Sequence, residues 1–173
     1  MNINKLENKQ DFRELFENLH VQIFRYIYVR IGYHRETAED LTQQVFMKAW
    51  KKRTSFNPAR SSLRNWIFII ARNGTIDLYR TQKSNKEVDP EKINGIADRS
   101  ENSIESDMMI EAVKRGLQKM NAHDQEVIVL RYMDDLDINS IAAIIGKKPT
   151  ATKVMIHRAV KRLKNIIEKD ERK

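Results

Sequence analysis

Cysteine is absent from the 173-residue sequence, which excludes disulfides and thiolate metal sites. Only five glycines and three prolines occur, so few positions interrupt a helix. The longest strongly apolar run, residues 66–71, lies between two arginines and is far too short to cross a bilayer. The first ten residues contain no apolar secretory core. We therefore expect an all-α protein that is soluble, cytoplasmic and not inserted in a membrane.

Patterns typical of catalysis and cofactor binding are also missing. The four histidines have no metal-ligand spacing. Neither a glycine-rich phosphate loop nor a nucleophile elbow occurs. We expect no metal, no other cofactor, no small-molecule substrate and no enzymatic activity.

Basic residues, in contrast, are in excess, with a net charge of +8 and a pI near 9.7. This favours a polyanionic partner, although simple solubility would also account for the charge. Residues 12–80 carry +6, residues 81–107 carry −3 and residues 108–173 carry +5. The acidic middle segment has few large apolar residues, which is typical of a flexible linker between two helical blocks. As a coil it would span roughly 30 Å, close to the roughly 34 Å of one DNA turn.

The stretch 137–163 predicts two helices joined by a short turn. Asp137 suits the N-cap of the first helix, Gly146 its left-handed end, and Pro149 the first turn of the second helix. The apolar stripe of the first helix is Ile138, Ile141, Ala142 and Ile145. That of the second is Ile156, Ala159, Val160, Leu163 and Ile167, with a basic face elsewhere. This is the pattern of a DNA-binding helix-turn-helix.

Helical spacing predicts further helices on the N-terminal side. Three lie over about 12–30, 36–52 and 63–80, with Gly32 and the loop 54–62 between them and Ser61 or Ser62 as a cap. The first has the inner stripe Phe12, Leu15, Phe16, Leu19, Ile23 and Ile27. Another helix near residue 108 has the stripe Ile110, Val113, Leu117 and Met120.

Several residue patterns, taken in order, resemble one protein family. The first is Ala-Glu-Asp-Leu-Thr-Gln-Gln-Val-Phe-Met-Lys-Ala-Trp over 38–50. The second comprises Leu63, Trp66-Ile67, Ile70-Ala71-Arg72-Asn73, Ile76-Asp77 and Arg80. The C-terminal block adds Gln125-Glu126-Val127, Leu130-Arg131-Tyr132, Ile141-Ala142, Gly146, His157-Arg158-Ala159 and Leu163. Together they resemble the sigma-70 family of bacterial transcription factors, in its small extracytoplasmic-function (ECF) group.

The resemblance implies two small helical domains and a role in transcription initiation. Residues 1–80 would form sigma region 2, a helical bundle, and residues 108–173 would form region 4, joined by the linker 81–107. Region 2 would bind the β′ clamp helices of core RNA polymerase and melt the −10 element of promoter DNA. Region 4 would bind the −35 element and the β flap. An anti-sigma factor would be a further partner.

The resemblance assigns polymerase binding to one polar face of the second helix, whose alternative role is that of a solvated surface. These residues are Asp40, Gln43, Gln44, Met47 and Lys48. The −10 residues would supply amide and carboxylate groups to a flipped base and cations to phosphates. They are Phe56, Arg60, Arg64, Arg72, Asn73, Asp77 and Arg80. Asp77 and Arg80 also have the spacing of an intrahelical ion pair, and we expect Trp66 and Phe68 to belong to the core.

The −35 residues would lie on the second helix of the helix-turn-helix and at its start. They are Lys148, Thr150, Thr152, Lys153, Val154, His157, Arg158 and Lys161. The amino-acid sequence of residues 147–155 departs from the one that is usual in the family. The DNA sequence preference of other members therefore cannot be transferred to this chain. Val154 lies about 160° from the buried stripe, and we expect it to contact a thymine methyl group.

Two other classes of protein remain as alternatives. A stand-alone helix-turn-helix regulator would explain residues 108–173 but leave the patterns at 38–50 and 63–80 without a role. A helical adaptor that binds only proteins would leave the two basic blocks unexplained.

Overall fold

The described residues of the N-terminal block form three long helices. The computed structural model describes Leu6, residues 8–84 and residues 104–171. The helices are α1 (Lys9–Arg30), α2 (Arg35–Lys51) and α3 (Leu63–Ser84), with a 3₁₀ turn at Arg53–Ser55. Gly32 has a φ of 78° between α1 and α2. The Ser62 hydroxyl accepts the Asn65 N–H at 3.2 Å, as the sequence predicts for the start of α3.

The three helices bury one another's apolar stripes. Ile23, Tyr26 and Ile27 of α1 and Ile67 and Phe68 of α3 are completely buried. Helix α2 likewise buries one apolar stripe, whose residues are Ala38, Leu41, Val45 and Ala49. Trp66 is partly buried against the same core, which confirms that this tryptophan packs rather than projects.

Phe16 is the exception to the predicted stripe of α1, because 40% of it is exposed. It lies at the edge of the core, where it packs edge-on against Phe46 and stacks on His20. Its unburied face therefore contributes to the protein surface.

The C-terminal block also contains only helices among its described residues. These are α4 (Ile104–Gln118), α5 (Ala122–Ile128) with a π-helical turn (Val129–Met133), α6 (Ile138–Ile145) and α7 (Pro149–Glu171). The Asn121 side chain caps α5 by accepting the Asp124 N–H at 3.0 Å. Helix α7 packs against α4, α5 and α6.

The helices next to the predicted linker are longer than the sequence predicted. Helix α3 continues to Ser84, past the predicted end at 80, and α4 begins at Ile104, before the predicted start at 108. The rest of the predicted linker, residues 85–103, lies outside the described residues.

Two apolar residues of the predicted C-terminal stripes are exposed. Ile110 is 48% and Val160 is 39% exposed. Helix α4 meets α7 through its C-terminal half, where a Cβ on Gly116 would lie 2.6 Å from Leu163 Cδ1. The N-terminal turns of α4, which include Ile110, lie beyond that contact.

The two blocks pack directly against each other. Helix α6 lies against α3, while α1 contacts α5 and the π-helical turn. Buried residues of both blocks form one hydrophobic cluster. Several polar side chains cross this interface, and they include residues that the sequence assigned to DNA.

Candidate functional site

The helix-turn-helix has the local geometry that its sequence predicts. Asp137 Oδ1 accepts the backbone N–H groups of Asn139 at 2.8 Å and Ser140 at 3.0 Å. The Ser140 hydroxyl donates to Asp137 Oδ2 at 2.7 Å. These hydrogen bonds lower the pKa of the Asp137 carboxyl, and the one from the Ser140 hydroxyl contributes most. Gly146 ends α6 with a φ of 69°, and Pro149 begins α7.

Most residues predicted to contact the −35 element lie on one exposed surface formed by α7 and the turn before it. The exposed residues are Lys148, Thr150, Lys153, Val154, His157, Arg158 and Lys161. Four are lysine or arginine, so the surface is cationic and suits phosphate contacts. Val154 is 48% exposed within it and offers an apolar group among the cations.

Thr152 does not belong to this surface, and its prediction as a −35 contact needs correction. The residue is completely buried. Its hydroxyl donates to the Lys148 carbonyl at 3.1 Å, inside the first turn of α7. A side chain in this position stabilises the start of the helix and does not reach a base.

The residues predicted to bind polymerase form a second exposed surface, on α2. All five are exposed: Asp40, Gln43, Gln44, Met47 and Lys48. Met47 is 56% exposed, although methionine is usually buried. Within the described chain, none of the five makes a side-chain hydrogen bond or ion pair, so the surface is free for a partner.

An aromatic groove lies beside this surface, between α1 and α2. It has a volume of about 360 Å³ and is lined by Phe12, Phe16 and Trp50, with Lys9 and Arg13 as basic members. Trp50 follows Met47 and Gln43 at helical spacing, so the groove continues the α2 surface.

Of the seven residues predicted for the −10 element, six fall into two groups and Phe56 packs on α3. The exposed group consists of Arg60 in the loop and of Asn73, Asp77 and Arg80 on α3. Asp77 and Arg80 form the expected ion pair at 3.9 Å, but both side chains are more than half exposed. Phe56 packs on Trp66 with 5.2 Å between ring centroids, which gives the loop a fixed attachment to α3.

The second group, Arg64 and Arg72, lies in the interface between the blocks. Arg64 Nη2 donates to Gln22 Oε1 at 2.9 Å and to the Asp134 carbonyl at 2.5 Å. Arg72 Nε donates to Glu126 Oε1 at 3.0 Å. These arginines are therefore not on the free surface with Asn73 and Arg80.

The partners of these arginines include residues to which the sequence assigned no role. Glu126 is buried, and its Oε1 also accepts the Tyr26 hydroxyl at 2.8 Å. Burial, with the nearby Glu126 charge, raises the pKa of Tyr26. Arg25 Nη2 donates to Asp134 Oδ1 at 2.7 Å, and burial raises the pKa of Asp134 to about 6 despite that pairing.

A signal for this interface does exist in the sequence. Arg30 follows Ile23 and Ile27 of α1 at helical spacing, which places a cation on the buried stripe. It is buried, and it donates to the Ala122 carbonyl and, at 3.4 Å, to Gln125 Oε1. A charged residue on a buried stripe predicts a paired contact with another element.

Two kinds of site are not found in the part of the chain that the structure describes. No cluster of histidine or carboxylate side chains is placed to hold a metal ion. No helix there has the length and apolar character needed to span a bilayer.

Comparisons with known proteins match both helical blocks. The sequence pattern of Sigma-70 region 2 matches residues 15–85, and that of Sigma-70, region 4 matches residues 110–163. The ECF RNA polymerase sigma factor BldN of Streptomyces coelicolor is 28% identical over 164 residues, which cover 93% of this chain and 62% of BldN. The RNA polymerase sigma factor YlaC of Bacillus subtilis is 28% identical over 168 residues, 95% of this chain and 96% of YlaC.

A solved structure has the same fold. It is the sigma factor RpoE of Bartonella quintana in complex with the anti-sigma factor NepR. The TM-score is 0.74 and the identity 24%, with 92% of this chain and 98% of the other covered.

Proposed function

This chain belongs to the sigma-70 family, in its ECF group, and we propose on that premise that it directs core RNA polymerase to a set of promoters. The observation that carries the proposal is the presence of regions 2 and 4, in that order, in one chain. A stand-alone helix-turn-helix regulator would need region 4 alone. As a specificity subunit the protein would act in the cytoplasm and catalyse no reaction of its own.

Polymerase binding is assigned to the α2 surface. Its five residues project from one helix and make no side-chain hydrogen bond or ion pair within the described chain. A carboxylate, two amides and a methionine can pair with polar and apolar groups of the β′ clamp helices. The neighbouring aromatic groove would extend that contact with an apolar surface.

Promoter recognition is divided between the two blocks. Asn73 and Arg80 on α3, with Arg60 in the preceding loop, would hold an unstacked base and its phosphates at the −10 element. The exposed surface of α7 would enter the major groove at the −35 element. The β flap would be a second contact of the C-terminal block.

An inhibitory protein partner is part of the proposal. An ECF sigma factor needs a means of being kept from polymerase until it is required, and an anti-sigma factor is the family's usual means. A binding partner that covers the α2 surface would block access to the clamp helices. The exposed Met47 and Phe16 give such a partner apolar anchors.

Reconstituted transcription tests the function. Purified protein is added to core RNA polymerase with a library of promoter fragments, and promoter-dependent transcripts are sequenced. A sigma factor yields transcripts that start at defined distances from shared −10 and −35 sequences. A stand-alone regulator binds DNA without polymerase and yields none.

A matched pair of variants tests the α2 surface. Met47→Asp puts a charge in the proposed contact and should weaken core polymerase binding about tenfold or more. Val21→Asp makes the same change at an equally exposed position of α1, outside that surface, and should leave binding unchanged. Equal losses in both variants would contradict the assignment. Circular dichroism melting curves establish that both variants are folded.

A further inference from the structure

Two acidic residues of the C-terminal block form hydrogen bonds and ion pairs with arginines of the N-terminal block. Glu126 accepts Arg72, and Asp134 accepts Arg25 through its carboxylate and Arg64 through its carbonyl. Asn65 of α3 adds a hydrogen bond to Ser140 of α6 at 3.2 Å. The contacts come from α1 and α3 on one side and from α5, α6 and the loop between them on the other, so they join the blocks along a continuous line.

Two of these arginines, Arg64 and Arg72, are residues that the resemblance to sigma factors assigns to −10 DNA. A carboxylate on Arg72 occupies the position that a phosphate would need, since both anions use the same guanidinium donors. Arg64 is likewise occupied by a carbonyl of the other block. With the blocks docked, neither cation is available to a separated DNA strand.

The other proposed surfaces remain open in the same arrangement. Asp40, Met47 and the rest of the α2 surface are exposed, and so are Val154 and its basic neighbours on α7. Docking therefore masks one function selectively. The docked protein could still meet polymerase, but it could not melt the −10 element.

The interface is also suited to opening. Among the described residues, the buried side-chain polar atoms without a hydrogen-bond partner are Arg30 Nε, Arg64 Nε and Asp134 Oδ2. All three belong to residues that contact the opposite block. Buried ion pairs offset little more than their own desolvation, and unpaired buried polar atoms are unfavourable. An interface built this way holds the blocks together without making their separation prohibitive.

We propose that the C-terminal block inhibits promoter melting in cis by docking its Glu126 and Asp134 region on Arg25, Arg64 and Arg72. The inference rests on the proposed sigma-factor function. Separation of the blocks exposes Arg64 and Arg72 together with Asn73 and Arg80, which completes the cationic −10 site. Polymerase would favour that separation by binding the C-terminal block at the β flap as well as the α2 surface, in positions that only the separated blocks can reach together.

A reversible cross-link tests the proposal, because one protein variant can be compared with its blocks joined and with its blocks free. The chain has no cysteine, so Asn65→Cys with Ser140→Cys places one disulfide across the interface. Polymerase binding and −10 melting, followed by permanganate reactivity of unpaired thymines, are measured before and after reduction. The oxidised protein should bind polymerase yet melt the promoter at least about tenfold less than the same protein after reduction.

Two results of that experiment would overturn the proposal. One is equal melting by the oxidised and the reduced protein. The other is failure of the two cysteines to be joined in the free chain both by oxidation and by a short bis-maleimide, which tolerates a longer separation; that result would mean that the docked arrangement is not populated. Failure of the sigma-factor function looks different: wild-type protein would then melt no promoter with polymerase, and the inference would fall with it.

A second pair of variants tests the interface without a cross-link. Arg25→Glu sets two carboxylates against each other at Asp134, whereas Arg115→Glu makes the same charge change at an exposed residue of α4. Spin labels at Glu36→Cys and Asn165→Cys, both exposed, report the distance between the blocks. Arg25→Glu should broaden the distribution of spin–spin distances, shift it to longer values and speed promoter melting severalfold. Arg115→Glu should change neither the distances nor the melting rate. Unchanged spin–spin distances in Arg25→Glu would contradict the proposed docking of Asp134 on Arg25.

Discussion

Thr152 and Val154 show how two residues of one helix turn differ in role. Thr152 points into the block and satisfies the Lys148 carbonyl, whereas Val154 points out among cationic side chains. They are about 160° apart around the helix axis, which is enough to separate core from surface. Composition alone would suggest the reverse, because threonine is the more polar residue.

Val154→Ser tests the proposed contact with a thymine methyl group. The change removes apolar contact worth about 1 kcal/mol, or about fivefold in affinity for the preferred −35 sequence. Discrimination at one base position should fall, while affinity for unrelated DNA should stay the same. Titration of the full-length protein against a set of single-base −35 variants measures both.

The control for this change lies on the same helix. Val160→Ser alters another exposed valine of α7, which lies about 120° around the helix axis from Val154 and is not among the proposed −35 contacts. It should leave discrimination at every position unchanged. If Val154→Ser behaves in the same way, the thymine contact is wrong.

At the level of the helices, the close approach of α2 and α3 explains a glycine in the middle of α3. A Cβ built on Gly74 would lie 3.1 Å from Leu41 Cδ1 and 3.9 Å from Val45 Cγ2. Glycine in a helix interior costs roughly 0.5–1 kcal/mol relative to alanine. Here that cost is offset by closer packing between the helix that carries the α2 surface and the helix that carries the −10 residues.

Gly74→Leu should therefore destabilise the protein by about 1–3 kcal/mol through overpacking. The free energy of unfolding, from urea titration followed by circular dichroism, measures the loss. Thr81→Leu adds a similar side chain at an exposed position of α3 and should be nearly neutral. A loss in Thr81→Leu as large as in Gly74→Leu would mean that the α2–α3 contact is not the cause.

At the scale of the whole molecule, the docking of the blocks depends on a buried carboxylate. Asp134 faces Arg25 from α1 and Arg64 from α3, yet burial raises its pKa from 3.8 to about 6. The docked form therefore holds the Asp134 proton more tightly than an open form in which the carboxyl meets water. Acidification from pH 7 towards pH 4 should favour docking, and above pH 7 both forms are ionised and the dependence disappears.

The pH dependence of docking can be measured on protein that carries spin labels at Glu36→Cys and Asn165→Cys. Between pH 7 and pH 5 the ratio of docked to open molecules should rise about tenfold. Asp134→Asn cannot take up the proton, so its ratio should change much less over the same range. Parallel pH curves for the two proteins would show that another group controls docking.

Much of this molecule follows from local sequence. The Asp137 cap, the left-handed Gly146, Pro149 at the start of α7 and the cap at Ser62 all form as predicted. Each depends on backbone and side-chain geometry within a few residues. The exposed face of α2 follows in the same way, since helical spacing alone separates it from the buried stripe.

The partners of Arg64, Arg72 and Asp134 could not be predicted in this manner. Arg64 and Asp134 are separated by 70 positions along the chain. Helical periodicity assigns each residue to a face of its own helix but does not say which other element covers that face. Only the packing of α3 against α6, and of α1 against the π-helical turn, turns the predicted −10 arginines into an interface within the protein, because burial and pairing depend on distances between blocks that no local pattern encodes.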